Sequence, residues 1–145
     1  MRNLIALLLL LSSLFCAVDA QTSAVPAGDG SAGNPYQIDS LPNLYWLSTT
    51  VSAWNSNFIQ LADIDASSTS SWNYAQGWSP IGDTSTLFTG TYNGNGKHIA
   101  KLFINRPTTN IVGLFGEVSG TGSIKKLFLD SVNVAGQDGT GALWE

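Results

Sequence analysis

Two acidic residues come closest to a pattern that could do chemistry. Asp63 and Asp65 are two positions apart in the run NFIQLADID, so in a strand both carboxylates point to the same face. Such a pair could form half of a Ca²⁺ site or supply the two acids of a glycoside hydrolase. The alternative is a solvated strand end, which we favour because the other acidic residues are scattered without a common spacing. We therefore predict no catalytic residue and keep Asp63 and Asp65 as weak candidates for a metal site.

Four aromatic residues form the second candidate site. Trp54, Trp72, Tyr74 and Trp78 lie close together in the sequence, three of them in the Ser-rich stretch 66–80. Flat aromatic rings can pack against sugar rings, so these residues could form a glycan-stacking platform. The structural alternative is that Trp54 packs a helix onto the first strands and Trp78 fills a corner. We favour this alternative.

Several other chemistries are poorly supported by the residues present. His98 is the only histidine, which argues against a zinc site, and it follows the turn-forming NGNGK stretch, so we expect it to be exposed. There is no G-x-S-x-G nucleophile motif and no phosphate-binding loop. The net charge is -4 and Lys125-Lys126 is an isolated basic pair, so a nucleic-acid partner is not expected. We predict that the protein needs no cofactor.

The first 20 residues have the features of a secretory signal peptide. Arg2 gives a short positive start, a leucine-rich run follows, and small residues precede a cleavage site after Ala20. The apolar run is shorter than the roughly 20 residues that a membrane span needs, and no second one follows. The sequence therefore predicts an exported protein, either periplasmic, on the cell surface or extracellular, with no transmembrane segment in the mature chain. The only cysteine, Cys16, falls within this signal.

The rest of the chain divides by composition. Residues 21–35 are rich in Gly, Ala, Ser and Pro and are predicted to be a flexible lead-in. Apolar residues then recur at spacings of three and four, which predicts a helix over about 41–54, with Ser40 as its cap and Pro42 in its first turn. The remaining chain holds short β-rich runs bounded by Gly and Asn. These runs are 57–65, 87–92, 98–105, 111–118 and 123–134.

An internal similarity suggests how these runs are arranged. The segment IAKLFIN at 99–105 resembles IKKLFLD at 124–130, which begins 25 residues later. This interval, with short strands and Gly turns, is typical of stacked coils that cover one another's apolar faces. We therefore predict an all-β fold, a right-handed parallel β-helix or β-solenoid over 36–145, with the 41–54 helix capping its N-terminus.

One short motif resembles that of a known family. Gly113-Leu114-Phe115-Gly116, within IVGLFGEV, is similar to the Gly-Leu-any-Gly motif of bacterial GLUG-motif proteins. Further segments resemble the same family in the same order: GDGSAGNPYQI at 28–38, WSPIG at 78–82 and FTGTYNGNG at 88–96. The resemblance implies a parallel β-helix in a secreted or surface protein, often large and adhesin-like, with GLUG-type repeats over about 87–145. It implies a structural role for the motif and provides no catalytic residue.

The end of the sequence departs from that pattern. A second copy of the motif begins at Gly141-Ala142-Leu143, but Trp144-Glu145 follows where the closing glycine is expected. We therefore expect a β-helix that is incomplete at its C-terminus, whose uncovered end could promote self-association.

The leading functional hypothesis is an exported, non-catalytic module of an adhesin-like protein. Its role would be binding or structural, and its partners would be glycans or the surface of a host or neighbouring cell. One alternative is a β-helix enzyme acting on polysaccharide, with Asp63 and Asp65 as its acids. A second alternative is a non-functional fragment of a longer gene.

Overall fold

The structure, a computed structural model, describes residues 21–139 and 141. The predicted signal peptide at residues 1–20 lies outside this part, as do residues 140 and 142–145, which hold most of the second motif copy. Among the described residues, no helix combines the length and the apolar character needed to cross a membrane.

The one α-helix of the described chain, α1, comprises Leu41–Thr49. Ser40 precedes it in an extended conformation but does not cap it through its side chain, because its hydroxyl donates to Oδ1 of Asn43 at 2.8 Å. The helix is shorter than predicted. It ends at Thr49, the first of three consecutive β-branched residues (Thr49-Thr50-Val51) that favour other conformations, and Val51–Ala53 form a separate 3-10 turn.

The described residues also form seven strands, one before this helix in the chain and six after it. They are β1 Tyr36–Ile38, β2 Asn57–Gln60, β3 Ile64–Asp65, β4 Thr91–Ala100, β5 Phe103–Asn105, β6 Ser123–Asp130 and β7 Asn133–Ala135. A second 3-10 helix, Ser67–Ser71, follows β3. All pairings between these strands are parallel, so long crossovers separate the paired strands.

Strand β4 is the centre of the larger sheet. On one edge it pairs with β2 near its start and with β3 near its end, and on the other edge it pairs with β6. β1 extends the sheet beyond β2, and β5 with β7 forms a separate two-stranded sheet. Residues on β3, β4 and β6 are thereby placed side by side although they are far apart in sequence.

The glycine-rich stretch of β4 bends the strand without ending it. The NGNG segment lies inside β4, and the register against β6 shifts between Asn93 and Lys97. Asn95 and Gly96 have φ angles of 55° and 72°, which Asn and Gly tolerate better than other residues. A Cβ on Gly94 would lie 2.5 Å from the Cα of Leu127, so this close approach of the two strands requires glycine.

The predicted all-β fold, a right-handed parallel β-helix (β-solenoid) with an N-terminal capping helix, is wrong. The prediction of an incomplete C-terminus concerns residues outside the described part. The described residues form a mixed α/β fold, in which an α-helix, 3-10 helices and parallel sheets contribute to one core. The prediction equated apolar runs with strands. The runs 87–92 and 111–118 are largely irregular, and their buried residues Phe88, Leu114 and Phe115 lie outside the named strands.

The sequence similarity between 99–105 and 124–130 does not correspond to the strand pairing. Ile99 is paired with Leu129 rather than with Ile124, and β5 pairs with β7. Register in a sheet follows from which side chains share the core face and from the lengths of the connections. The local similarity between the two segments therefore predicted the wrong number of residues between paired positions.

The core is organised around a column of aromatic rings. Tyr36, Phe58 and Tyr92 occupy paired positions on β1, β2 and β4. The ring centroids of Tyr36 and Phe58 are 5.5 Å apart, and those of Phe58 and Tyr92 are 6.5 Å apart. Phe115 continues the column at 5.4 Å from Tyr92 in an edge-to-face arrangement. Such contacts add to the free energy gained by burying the rings and fix the strands relative to one another.

Candidate functional site

The four aromatic residues considered as a possible glycan-stacking platform, Trp54, Trp72, Tyr74 and Trp78, do not form one exposed surface. Trp54 and Trp72 are each 5% exposed and Trp78 is fully buried, whereas Tyr74 is fully exposed. An indole with so little exposed area cannot offer a face to a sugar ring. Tyr74 is the one member of the four whose ring is open to solvent, and it lies in a turn with positive φ.

Trp72 and Trp78 are packing residues. Their rings stack at 6.2 Å with an interplanar angle of 27°, and Tyr45 of α1 contacts Trp72 edge-on at 5.1 Å. Nε1 of Trp78 donates to the carbonyl oxygen of Leu114 at 3.1 Å. The two indoles therefore join the loop 66–80 to the helix and to the segment that contains the Gly-Leu-Phe-Gly motif.

Gly113, Leu114, Phe115 and Gly116 are all buried. The N–H of Gly116 donates to the carbonyl oxygen of Ile81 at 2.9 Å, and a Cβ on Gly116 would lie 2.4 Å from the carbonyl oxygen of Gly82. Glycine is therefore required for this close contact between two irregular segments. The motif occupies a tightly packed position in the core.

Asp63 and Asp65 are both exposed and already have partners. Oδ1 of Asp63 accepts the backbone N–H of His98 at 2.9 Å, and Asp65 accepts the N–H of Ser67 at 2.9 Å and Nζ of Lys101 at 3.0 Å. The pKa of Asp65 is lowered to about 2, mainly by hydrogen bonds from Ser67 and to a smaller extent by the hydrogen bond from Lys101. A glycosidase general acid requires the opposite shift, so these contacts do not suit Asp65 to that role.

The parallel pairing brings two further residues to His98. Nδ1 of His98 lies 2.6 Å from Oδ2 of Asp130, and its ring stacks on Phe128 with centroids 5.0 Å apart. In the sequence His98 follows the NGNGK stretch with no partner near it, and Asp130 is one of several acidic residues without a common spacing. The pairing of β4 with β6 was the missing information, since His98 lies directly beside Phe128.

The cluster of His98, Phe128 and Asp130 has only a weak ion pair. The His98 and Asp130 side chains are 45% and 53% exposed, so water weakens their electrostatic attraction. Within the part of the chain that the structure describes, no three His, Cys, Asp or Glu residues are grouped so as to hold a metal ion. Asp63 and Asp65 therefore belong to no such group in this part of the chain.

Trp54 lies at a different feature, a groove between residues 51–55 and 85–89. This groove, which we call the Trp54 groove, is an open surface depression of about 470 Å³. Nε1 of Trp54 donates to the carbonyl oxygen of Leu47 at 2.8 Å, which fixes the indole against α1. Its apolar lining is completed by Val51 and Leu87, and the remaining lining residues are neutral and polar. The ring of Trp54 made it a candidate from the sequence, whereas no motif indicated the polar residues of 85–89.

Comparison with known proteins finds relatives much longer than this chain. The chain is 37% identical over 124 residues to Halomucin of Haloquadratum walsbyi, a match that covers 83% of this chain and 1% of Halomucin. It is 34% identical over 123 residues to a protein of Evansella cellulosilytica named "Putative Gly-rich membrane protein", covering 81% of this chain and 14% of that protein. The chain thus spans a small part of the length of the curated relatives it matches. No family model and no solved structure matches it.

Proposed function

We propose that this chain is a non-catalytic binding or structural module of an exported, adhesin-like surface or membrane-associated protein. The observation that carries the proposal is the extent of the two matches, which take in about four-fifths of this chain but a small fraction of each relative. A segment that recurs within much longer proteins is typical of a module, and one relative is named as a membrane protein. Its partners would be glycans or the surface of a host or neighbouring cell.

The contacts of the acidic residues support a non-catalytic role. Asp65 is held ionised by Ser67 and Lys101, and Asp63 accepts a backbone hydrogen bond from β4. Both carboxylates thereby join β3 to neighbouring segments, which is a structural use of these groups. A polysaccharide hydrolase would instead keep one of its two acids protonated near neutral pH.

We also propose that the resemblance to GLUG-motif proteins reflects a shared packing requirement. The close approach of Gly116 to Gly82 and the burial of Leu114 and Phe115 support this proposal. On this view the motif is retained for the backbone contact that glycine allows and for the two apolar side chains beside it.

The location can be tested by protease treatment of intact producing cells. An antibody raised against the chain would follow its digestion, and a cytosolic enzyme would serve as the control for lysis. We expect the chain to be digested on intact cells, or to be found in the medium, while the control enzyme is protected. Protection of the chain until the cells are lysed would contradict the proposal.

The absence of catalysis can be tested by a double substitution. We expect the wild-type protein and Asp63→Asn/Asp65→Asn to release the same background level of reducing ends from polysaccharides. Release by the wild type that the double variant abolishes would show that the non-catalytic assignment is wrong.

A further inference from the structure

We infer that the Trp54 groove binds a neutral carbohydrate residue. The inference rests on the proposed function and deepens it, since it assigns the binding role to one site and one class of ligand. Three observations support it: the residues that line the groove, the absence of side-chain hydrogen bonds from its polar groups to other described residues, and the hydrogen bonds that hold its walls.

The polar side chains of the groove are not engaged with the protein. All five are exposed, and none of them makes a side-chain hydrogen bond to another described residue. They are Ser52, Asn55, Ser85, Thr86 and Thr89. By contrast, the hydroxyls of Ser48, Ser70 and Ser71 each donate to the carbonyl oxygen three residues earlier. The side-chain donors and acceptors of the groove are therefore open to a ligand.

The combination of groups in the groove matches the chemistry of a sugar. A pyranose has hydroxyl groups around its edge and apolar C–H groups on its faces, and the groove offers hydroxyl and amide groups beside Val51 and Leu87. Binding sites commonly pair an apolar lining with a small number of polar groups in this way. No ionisable residue lines the groove. The Asp83 carboxylate beside Ser85 and Thr86 repels an anionic ligand but not a neutral sugar.

The two walls of the groove are held in place before any ligand arrives. The carbonyl oxygen of Trp54 accepts the N–H groups of Thr89 and Gly90 at 3.0 Å and 2.8 Å, which ties one wall directly to the other. Oδ1 of Asp83 accepts the N–H groups of Ser85 and Thr86, each at 2.8 Å, which fixes the rim. Rigid walls lower the entropy lost on binding, so even a few hydrogen bonds give measurable affinity.

The test is a titration of the full chain, isotopically labelled, followed by NMR. The ligands are methyl β-D-glucopyranoside, methyl β-D-galactopyranoside, methyl α-D-mannopyranoside and, as a charged control, methyl β-D-glucuronide. We expect at least one neutral glycoside to give saturable shifts at the Asn55 side-chain amide and at the backbone amides of 85–89, with a Kd of about 1 mM. The glucuronide, tested at the same concentrations, is expected to bind more weakly than its neutral counterpart because the chain carries a net charge of -4.

Isosteric substitutions provide the matched controls. Thr86→Val and Thr89→Val remove hydroxyls without changing shape, and each is expected to weaken binding about three- to tenfold through the loss of one hydrogen bond. Thr108→Val makes the same change at an exposed threonine outside the groove and should leave the Kd unchanged. Both groove positions are exposed, and the spectrum of each variant without ligand reports whether it is folded.

Three outcomes would overturn the inference. They are the absence of saturable shifts with every neutral glycoside at about 10 mM, shifts confined to residues outside the groove, and a Kd that Thr86→Val and Thr89→Val leave unchanged. Failure here can be distinguished from failure of the proposed function, because the protease experiment on intact cells reports location without any ligand.

Discussion

A buried hydrogen-bond chain joins β2 to β4 and gives the sharpest test of how the core is held together. Tyr92 and Gln60 are both fully buried, and the Tyr92 hydroxyl donates to Oε1 of Gln60 at 3.1 Å. Nε2 of Gln60 donates in turn to the carbonyl oxygens of Ala62 and His98, at 2.9 Å and 3.0 Å. Burial raises the pKa of the Tyr92 hydroxyl far above its usual range, so it remains a donor at every pH where the fold is stable.

The expected free energies follow from which groups lose their partners. Tyr92→Phe leaves Oε1 of Gln60 buried without a donor and should lower the free energy of unfolding by about 1–3 kcal/mol. Gln60→Met leaves the Tyr92 hydroxyl and two carbonyl oxygens without their partner and should cost more, about 2–5 kcal/mol. In the double variant the Tyr92 hydroxyl, which Gln60→Met alone would leave without a partner, is also absent. The double variant should therefore be more stable than the sum of the single effects implies, by about 1–2 kcal/mol.

Urea unfolding of the four proteins, followed by tryptophan fluorescence, measures this cycle. Tyr74→Phe is the control, because Tyr74 is fully exposed and its variant should unfold within about 0.5 kcal/mol of wild type. Single effects that add to within about 0.5 kcal/mol would refute the reasoning, since contacting residues in one network are expected to be coupled.

Two further predictions concern a close glycine contact and an acidic residue. Gly116→Ala places a methyl group 2.4 Å from the carbonyl oxygen of Gly82 and should cost at least about 2 kcal/mol, whereas Gly120→Ala meets no heavy atom within 4 Å. Thermal unfolding distinguishes the two, and equal Tm values would contradict the prediction. The lowered pKa of Asp65 stabilises the fold above the unfolded-state value of about 4, and this contribution is lost as the pH falls towards about 2. Between these values the urea midpoint of wild type should fall more steeply than that of Asp65→Asn, and parallel declines would argue against the assignment.

Local signals in the sequence were informative where the structure depends on local interactions. An α-helix begins at Leu41 with Pro42 in its first turn, in the segment where apolar spacing indicated one. Asn95 and Gly96 adopt positive φ in the stretch selected for its tolerance of such angles. These features follow from the steric preferences of a few adjacent residues and need no knowledge of distant contacts.

Features that depend on distant contacts could not be derived in the same way. Sequence analysis favoured a packing role for Trp78, but its hydrogen bond to the Gly-Leu-Phe-Gly segment depends on a residue 36 positions away and could not be derived. The contact of His98 with Asp130 requires the β4–β6 register, which the similarity of 99–105 to 124–130 misplaced. The free hydroxyls of the Trp54 groove become meaningful only once two segments are seen to form its walls.

The aromatic column has a consequence for the order of events in folding. Its rings at Tyr36, Phe58, Tyr92 and Phe115 come from four successive passes of the chain, so no short segment can assemble it. Proteins dominated by contacts between distant residues fold slowly, in milliseconds to seconds. Long loops must close, with a loss of chain entropy, before the buried contacts can stabilise the fold. A chain emerging from a ribosome or a translocation channel cannot complete the column until Phe115 has emerged. Until then the ring of Tyr92 lacks its contact with Phe115, and apolar surface stays open to a chaperone.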